Sequence, residues 1–207
     1  MKVIFGVLGV VVVLAAVILM AGCGSYNKLV TLSQGVEKSW ADVENVYQRR
    51  ADLIPNLVKT VEGAANFEKS TLTDVIQARQ QVNNVRLEPG TAPTDPKVMQ
   101  QFQQSQDQLS GALSRLLVVV ERYPELKSNA NFQDLQTQLE GTENRITVER
   151  RKFNEVVQRY NTEVKRLPTA LYAGLMGFTP KPYFQAAAGA DKAPEVQFSF
   201  GGNSSGN

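Results

Sequence analysis

The sequence predicts an all-α protein, an elongated antiparallel bundle of three to four long helices behind an N-terminal apolar segment. Three observations predict it. Apolar residues recur at alternating steps of three and four along most of the chain, the spacing of one helix face. No run alternates with period two for long enough to make a strand. The breaks fall at a few proline-bearing points, of which "LEPGTAPTDP", Leu87 to Pro96, is the clearest.

Taken in order, the chain opens with Met1 and Lys2 and then runs apolar from Val3 to Ala21 without a charge. A hydrocarbon core about 30 Å thick takes roughly 20 apolar helical residues, so this run is long enough to span a membrane. It also has the form of a secretory signal. Cys23, in "LMAGCGS", follows small residues and resembles the lipidated cysteine of a bacterial lipoprotein signal, with Met20 an imperfect match to the usual aliphatic residue. The two readings, an uncleaved spanning helix or a lipid anchor on Cys23, both stand. Lys2 is positive on one side of the run and Lys28 is the first charge on the other, so the positive-inside rule points the following domain away from the cytoplasm.

The first long helix carries Leu29, Val36, Trp40, Val43, Tyr47, Ile54, Leu57 and Val61 in one row. The row keeps its register across Pro55, which predicts one kinked helix rather than two. The pattern resumes after a weak spot at Glu62 to Asn66 with Phe67, Leu72, Val75, Ile76, Ala78 and Val82. Asp95 before Pro96 reads as an N-cap and first-turn proline. The helix they open carries Met99, Phe102, Leu109, Leu113, Leu116, Val120 and Tyr123 up to Pro124. Within it, the glutamines of "QQFQQSQDQ" read as solvent-facing helix formers. A last long helix takes Phe132, Leu135, Leu139, Ile146, Phe153, Val157, Tyr160, Val164 and Leu167 before Pro168. The organisation expected is an anchor or signal over 1–23, a bundle over 26–184, and a Gly/Ser/Asn-rich flexible tail over 185–207.

Composition narrows the function. The chain of 207 residues has 22 basic and 20 acidic side chains mixed along its length, with no basic stripe of the kind that nucleic acid requires. It has no histidine and one cysteine, which excludes His-dependent triads, His-ligated metal sites and internal disulfides. No catalytic, cofactor or metal site is expected. The polar anomaly is "QRRADLIPNLV", Gln48 to Val58. Arg50 occupies the core-side position between Tyr47 and Ile54, with Arg49 beside it and Asp52 two residues on. Pro55 lacks the N–H that would bond the carbonyl of Ala51, so that oxygen needs a side-chain donor, such as Asn56 or an arginine. Arg49, Arg50, Asp52, Pro55 and Asn56 therefore form either a polar network that fixes helix register or an anion or partner site at the kink. On the last helix, Glu143, Arg145, Glu149, Arg150 and Arg151 are placed to form an interhelical network with Arg49 and Arg50, while Glu140 and Glu143 share a face as a carboxylate pair would. The segment "GLMGFTPKPYF" is expected to cover the bundle end or to contact a partner or the membrane interface.

"SYNKLV", "VEKSWADVENVYQRRADLIPNLVKTVEG", "YPELKSNANFQDLQTQLEGTENRITVERRKFNEVVQRYN" and "LPTALYAGLMGF" together resemble the LemA family over about Ser25 to Phe184. The resemblance implies a membrane-attached helical bundle of bacteria without an established catalytic activity. Two departures stand out: "AGC" in place of a plain membrane helix, and "GAANF" at Gly63 to Phe67, which lacks the basic and aromatic character usual there. The function expected is a membrane-anchored, non-enzymatic scaffold or adaptor of the cell envelope. Its partners would be membrane or envelope proteins, or further copies of itself. The alternative is a hydrolase or ligand sensor with an anion site at Arg49, Arg50 and Asp52.

Overall fold

The structure, a computed structural model, describes residues 2–63, 67–85 and 87–185, with side chains from Gly24 onward. The described residues are helical, without strands. They form α1 (Lys2–Glu62), α2 (Lys69–Asn84), α3 (Pro96–Val120), the single turn α4 (Pro124–Lys127) and α5 (Ala130–Lys165), then a 3-10 turn at Thr169–Leu171. α1 packs along α5, and α2 along α3. The pairs run antiparallel: Lys28 meets Glu163 at one end of α1 and α5, and Arg50 meets Glu143 further along.

Helix boundaries follow local chemistry. Asp95 is the N-cap of α3, its carboxylate accepting from the Lys97 N–H at 2.8 Å, with Pro96 in the first turn. Asn129 caps α5 in the same way, accepting from the N–H groups of Asn131 and Phe132. Pro124 opens α4 as its first-turn proline, three residues beyond the α3 C-cap at Glu121. α1 stops at Glu62, and α2 begins only at Lys69. The "GAANF" departure falls largely on residues 64–66, outside the described residues, as do the tail over 186–207 and the side chain of Cys23. The apolar run Val3 to Ala21 continues α1 in its backbone, but its side chains too lie outside the described set. No helix among the described residues is long and apolar enough to cross a membrane.

The buried apolar residues form two clusters stacked along the bundle. One gathers Ile54 to Val61 of α1 with Leu72 and Val75, Leu109 to Val120, and Phe132 and Leu139. The other gathers Leu29 to Tyr47 with Met99, Phe102, Ile146 to Val164, Ala173 and Phe184. The stripe of α1 read from the sequence is buried throughout. Three expectations are corrected. Ile76 and Leu167 are exposed: Ile76 is on the outer side of α2, and Leu167 stands past the end of α5, which stops at Lys165. Gln103 and Gln106, expected to face solvent, are buried: Gln106 Oε1 accepts from the Arg50 guanidinium, and Gln103 Nε2 donates to the Gln185 carbonyl at 2.8 Å.

Pro55 sits inside α1, and the Ala51 carbonyl that it leaves free accepts from Arg79 Nε of α2 at 3.2 Å. Asn56 does not serve it; it is exposed, and its carbonyl accepts from the Thr60 hydroxyl. The donor is thus an arginine on a neighbouring helix, so the proline ties α1 to α2. In a double-mutant cycle read by urea denaturation, Arg79→Ala should lower stability by about 1 kcal/mol. The loss should shrink clearly in a Pro55→Ala background, where residue 55 regains an N–H for the same carbonyl.

Candidate functional site

Between the two apolar clusters lies a polar layer centred on Arg50. Its side chain is only 1% exposed although it carries a fixed charge. In α1 the layer falls between Tyr47 and Ile54, in α3 between Phe102 and Leu109, and in α5 between Leu139 and Ile146. Each of these gaps is the same heptad step, so the three helices place their polar residues at one height.

The guanidinium is held from two sides. One terminal nitrogen donates to Ser110 Oγ at 2.8 Å and to Glu143 Oε1. The other donates to the side-chain oxygen of Gln106 and, at 3.4 Å, to its backbone carbonyl. The Tyr47 ring lies 5.2 Å from the guanidinium carbon and supplies a cation–π contact. Ser110 in turn donates to Glu143 at 3.4 Å. Glu143 keeps 42% of its side chain exposed, so one end of the pair remains in high dielectric. Burial pushes the Tyr47 hydroxyl up to about 12, opposed in part by Arg150 and Arg50.

The other residues singled out in the sequence are placed differently. Arg49 and Asp52 are exposed on the outer side of α1, and Asp52 accepts from Gln48 at 2.8 Å. The structure therefore brings Arg50 to Glu143 and leaves Arg49 and Asp52 apart from both. Glu140 is exposed and accepts from Gln136, so it does not join Glu143 as a carboxylate pair. Glu149 pairs with Lys152, Arg150 lies 3.8 Å from Asp107, and Arg145 and Arg151 are exposed. A cavity of about 180 Å³ opens beside the layer, lined by Tyr47, Gln48, Ala51, Phe102 and Gln106 among others. Among the described residues no group of acidic or cysteine side chains could hold a metal ion.

A second polar arrangement was not foreseen. After the 3-10 turn the chain returns along α5 as a strap over residues 179–185 without regular secondary structure. Side-chain amides take the place of a neighbouring strand. Asn161 exchanges a pair of hydrogen bonds with the N–H and carbonyl of Lys181, both at 2.8 Å. Asn154 does the same for Phe184, and Gln103 for Gln185. The strap delivers Phe184 into the core against Trp40, Phe102 and Phe153, with ring centroids 5.5 to 6.4 Å away. Lys181 pairs with Glu37 of α1, whose other oxygen accepts from the Ala92 N–H, so a single carboxylate ties the strap to the α2–α3 loop. Asn154 and Asn161 stand one heptad apart, each directly after an aromatic core residue, which is the signal that could have exposed them.

Two predictions follow from the layer. Glu143→Leu, which strands a buried guanidinium, should cost about 3 kcal/mol, whereas Arg50→Met, which removes the charge and leaves a half-exposed carboxylate, should cost distinctly less. Denaturation followed through Trp40 fluorescence measures both. An unfolded tyrosine ionises near 10.0 and Tyr47 near 12, so Tyr47 takes nothing from stability below pH 10. As pH rises from there the unfolded chain gains by ionising first, and stability falls until about pH 12. Tyr47→Phe should abolish that part of the alkaline loss, a difference growing to about 2–3 kcal/mol.

Known proteins resemble the chain in sequence along most of its length. Magnetosome protein MamQ 2 of Paramagnetospirillum magneticum is 26% identical over 207 aligned positions, covering 91% of this chain and 73% of the relative. Magnetosome protein MamQ of Magnetospirillum gryphiswaldense is 26% identical over 80% of this chain and 66% of its own length. Protein LemA of Metamycoplasma hominis is 24% identical over 79% of this chain and 70% of its own. The profile of the LemA family matches residues 39–198, well over half of the sequence, and the chain belongs to the LemA family.

Proposed function

We propose that the chain is a membrane-anchored helical scaffold of the bacterial cell envelope, acting through contacts with other envelope proteins or with further copies of itself. The observation that supports this reading is the inward direction of its polar chemistry. The buried Arg50 guanidinium is taken up by Glu143, Ser110 and Gln106, groups of the protein itself. A guanidinium engaged on both terminal nitrogens serves register better than turnover, because a substrate anion would have to displace Glu143. The anchor in this proposal is the run Val3 to Ala21, either as a spanning helix or as a signal that leaves a lipid on Cys23. Either anchor holds the bundle on the outer side of the membrane.

The test is lysine crosslinking of the full chain in native membranes, followed by mass spectrometry of the detergent-extracted species. The expected result is recovery in the membrane fraction, crosslinked at fixed stoichiometry to a second copy or to a defined set of envelope proteins. The intact mass of the same material distinguishes a chain that keeps all its residues from one that begins at a lipidated Cys23. Recovery in the soluble fraction would remove the anchor. Turnover by the purified protein, abolished by one polar substitution with the fold retained, would remove the scaffold reading.

A further inference from the structure

The turn that joins α5 to the strap presents large apolar side chains to water. Leu167 is 71% exposed, Leu171 74%, Leu175 90% and Met176 41%. They do not hang from a loose tail. Thr169 and Ala173 beneath them are buried, and consecutive backbone bonds hold the segment: Ala173 N–H to Thr169 O at 2.9 Å, Met176 N–H to Tyr172 O at 3.1 Å, and Phe178 N–H to Ala173 O at 2.9 Å. The leucines are displayed from a fixed platform.

The position of that platform identifies its partner. α5 runs antiparallel to α1, so the turn after Lys165 lies level with Tyr26 to Lys28 of α1. Two contacts fix the level: Lys28 pairs with Glu163 at 2.7 Å, and the Tyr26 ring meets the Phe178 ring edge-on at 5.6 Å. Tyr26 follows closely on Cys23 and the apolar run Val3 to Ala21, and α1 is one helix through that junction. The exposed leucines therefore stand beside the point where α1 meets its apolar run. Lys165 and Arg166 are exposed at the base of the same turn, and Tyr26 is 44% exposed next to it. Leucine and methionine at the tip, tyrosine at the side and basic residues behind make up the composition of an interfacial membrane contact.

We infer that residues 167–176 form a second membrane contact, an apolar wedge that inserts into the headgroup–acyl boundary of the bilayer entered by the anchor. The inference rests on the anchored reading above and goes beyond it. A single helix leaves a bundle free to swing, whereas a helix and a wedge on the adjoining turn fix its tilt. The partner is the lipid surface, with anionic headgroups opposite Lys165 and Arg166.

The test uses the full chain reconstituted into phosphatidylcholine–phosphatidylglycerol vesicles, with brominated phosphatidylcholine as the quencher. Leu175→Trp places a reporter at the tip, and Val118→Trp, at a site 70% exposed towards the α3–α4 end, places one at the far end of the bundle. Trp40 is fully buried and gives a common background. Both sites are exposed, and unchanged helical circular dichroism confirms that each variant has folded. The expected result is that both variants float with the vesicles and that quenching of L175W exceeds that of V118W several-fold, with a blue shift for L175W alone. If both float and L175W is quenched no more than V118W, the turn faces water or another protein; the wedge is overturned and the anchor stands. If neither floats, the anchor itself fails and the wedge falls with it.

Discussion

The bundle is organised by one charge that cannot reach water. Arg50 is buried between two apolar clusters, and its partners come from α3 and α5 as well as from the tyrosine one turn before it. Energetically such a layer is a weak stabiliser: well-packed apolar residues in its place are often as stable or more so. What an apolar layer would not supply is register. The stripes of α1 and α5 repeat by heptads, so sliding one helix along the other by seven residues would again set apolar against apolar. With Arg50 opposite Glu143, such a slip would set it opposite Gln136 or Arg150, losing its carboxylate or meeting a like charge. The polar layer thus converts a periodic seam into a single alignment.

The strap solves a different problem. A slim bundle leaves a furrow along α5, and an extended segment laid in it brings backbone N–H and carbonyl groups that need partners. Asn161, Asn154 and Gln103 each satisfy one residue of the strap at both groups, as a neighbouring strand would. These bonds are made to the backbone and carry no preference for side chains. Phe184 supplies the specificity by entering a pocket of three aromatic rings. The strap completes the upper core that α1, α3 and α5 leave open.

The helices were legible in the sequence because heptad-spaced apolar residues and proline-bearing breaks are local signals, and Asp95–Pro96 marked a cap that the structure contains. Arg50 was legible too, since a charge on an apolar row contradicts its neighbours. Its partners were less so. Glu143 stood among several charges of α5, and nothing local separates it from Glu149 or Arg151. Gln106 and Gln103 were misread because a glutamine amid glutamines looks like solvated surface. The clue was the skipped apolar position, from Phe102 to Leu109 and from Leu139 to Ile146, matching the one from Tyr47 to Ile54. Arg79 could not be found locally, since the carbonyl it serves is on another helix. The strap escaped for the same reason: its strand-like bonds are made with side chains distant in the sequence, and no period-two pattern is needed to form them.

Polar and apolar features are distributed along the axis of the molecule in a consistent order. The end beside residue 26 carries the exposed leucines and the aromatic pair of Tyr26 and Phe178. The middle carries the buried charge, and the opposite end closes with the single turn α4 and the Asn129 cap of α5. A bundle that only needed to fold would gain nothing from leaving Leu171 and Leu175 in water, because burying such a side chain is worth about 1.5–3 kcal/mol. Their exposure at a hydrogen-bonded turn, next to the helix that carries the apolar run, is best accounted for by a surface that covers them outside the fold. The register lock then acquires a mechanical sense. If the wedge and α1 are both held at one end, any sliding of α5 along α1 would pull one of them out of the bilayer, and the Arg50–Glu143 contact resists that sliding from the middle of the bundle.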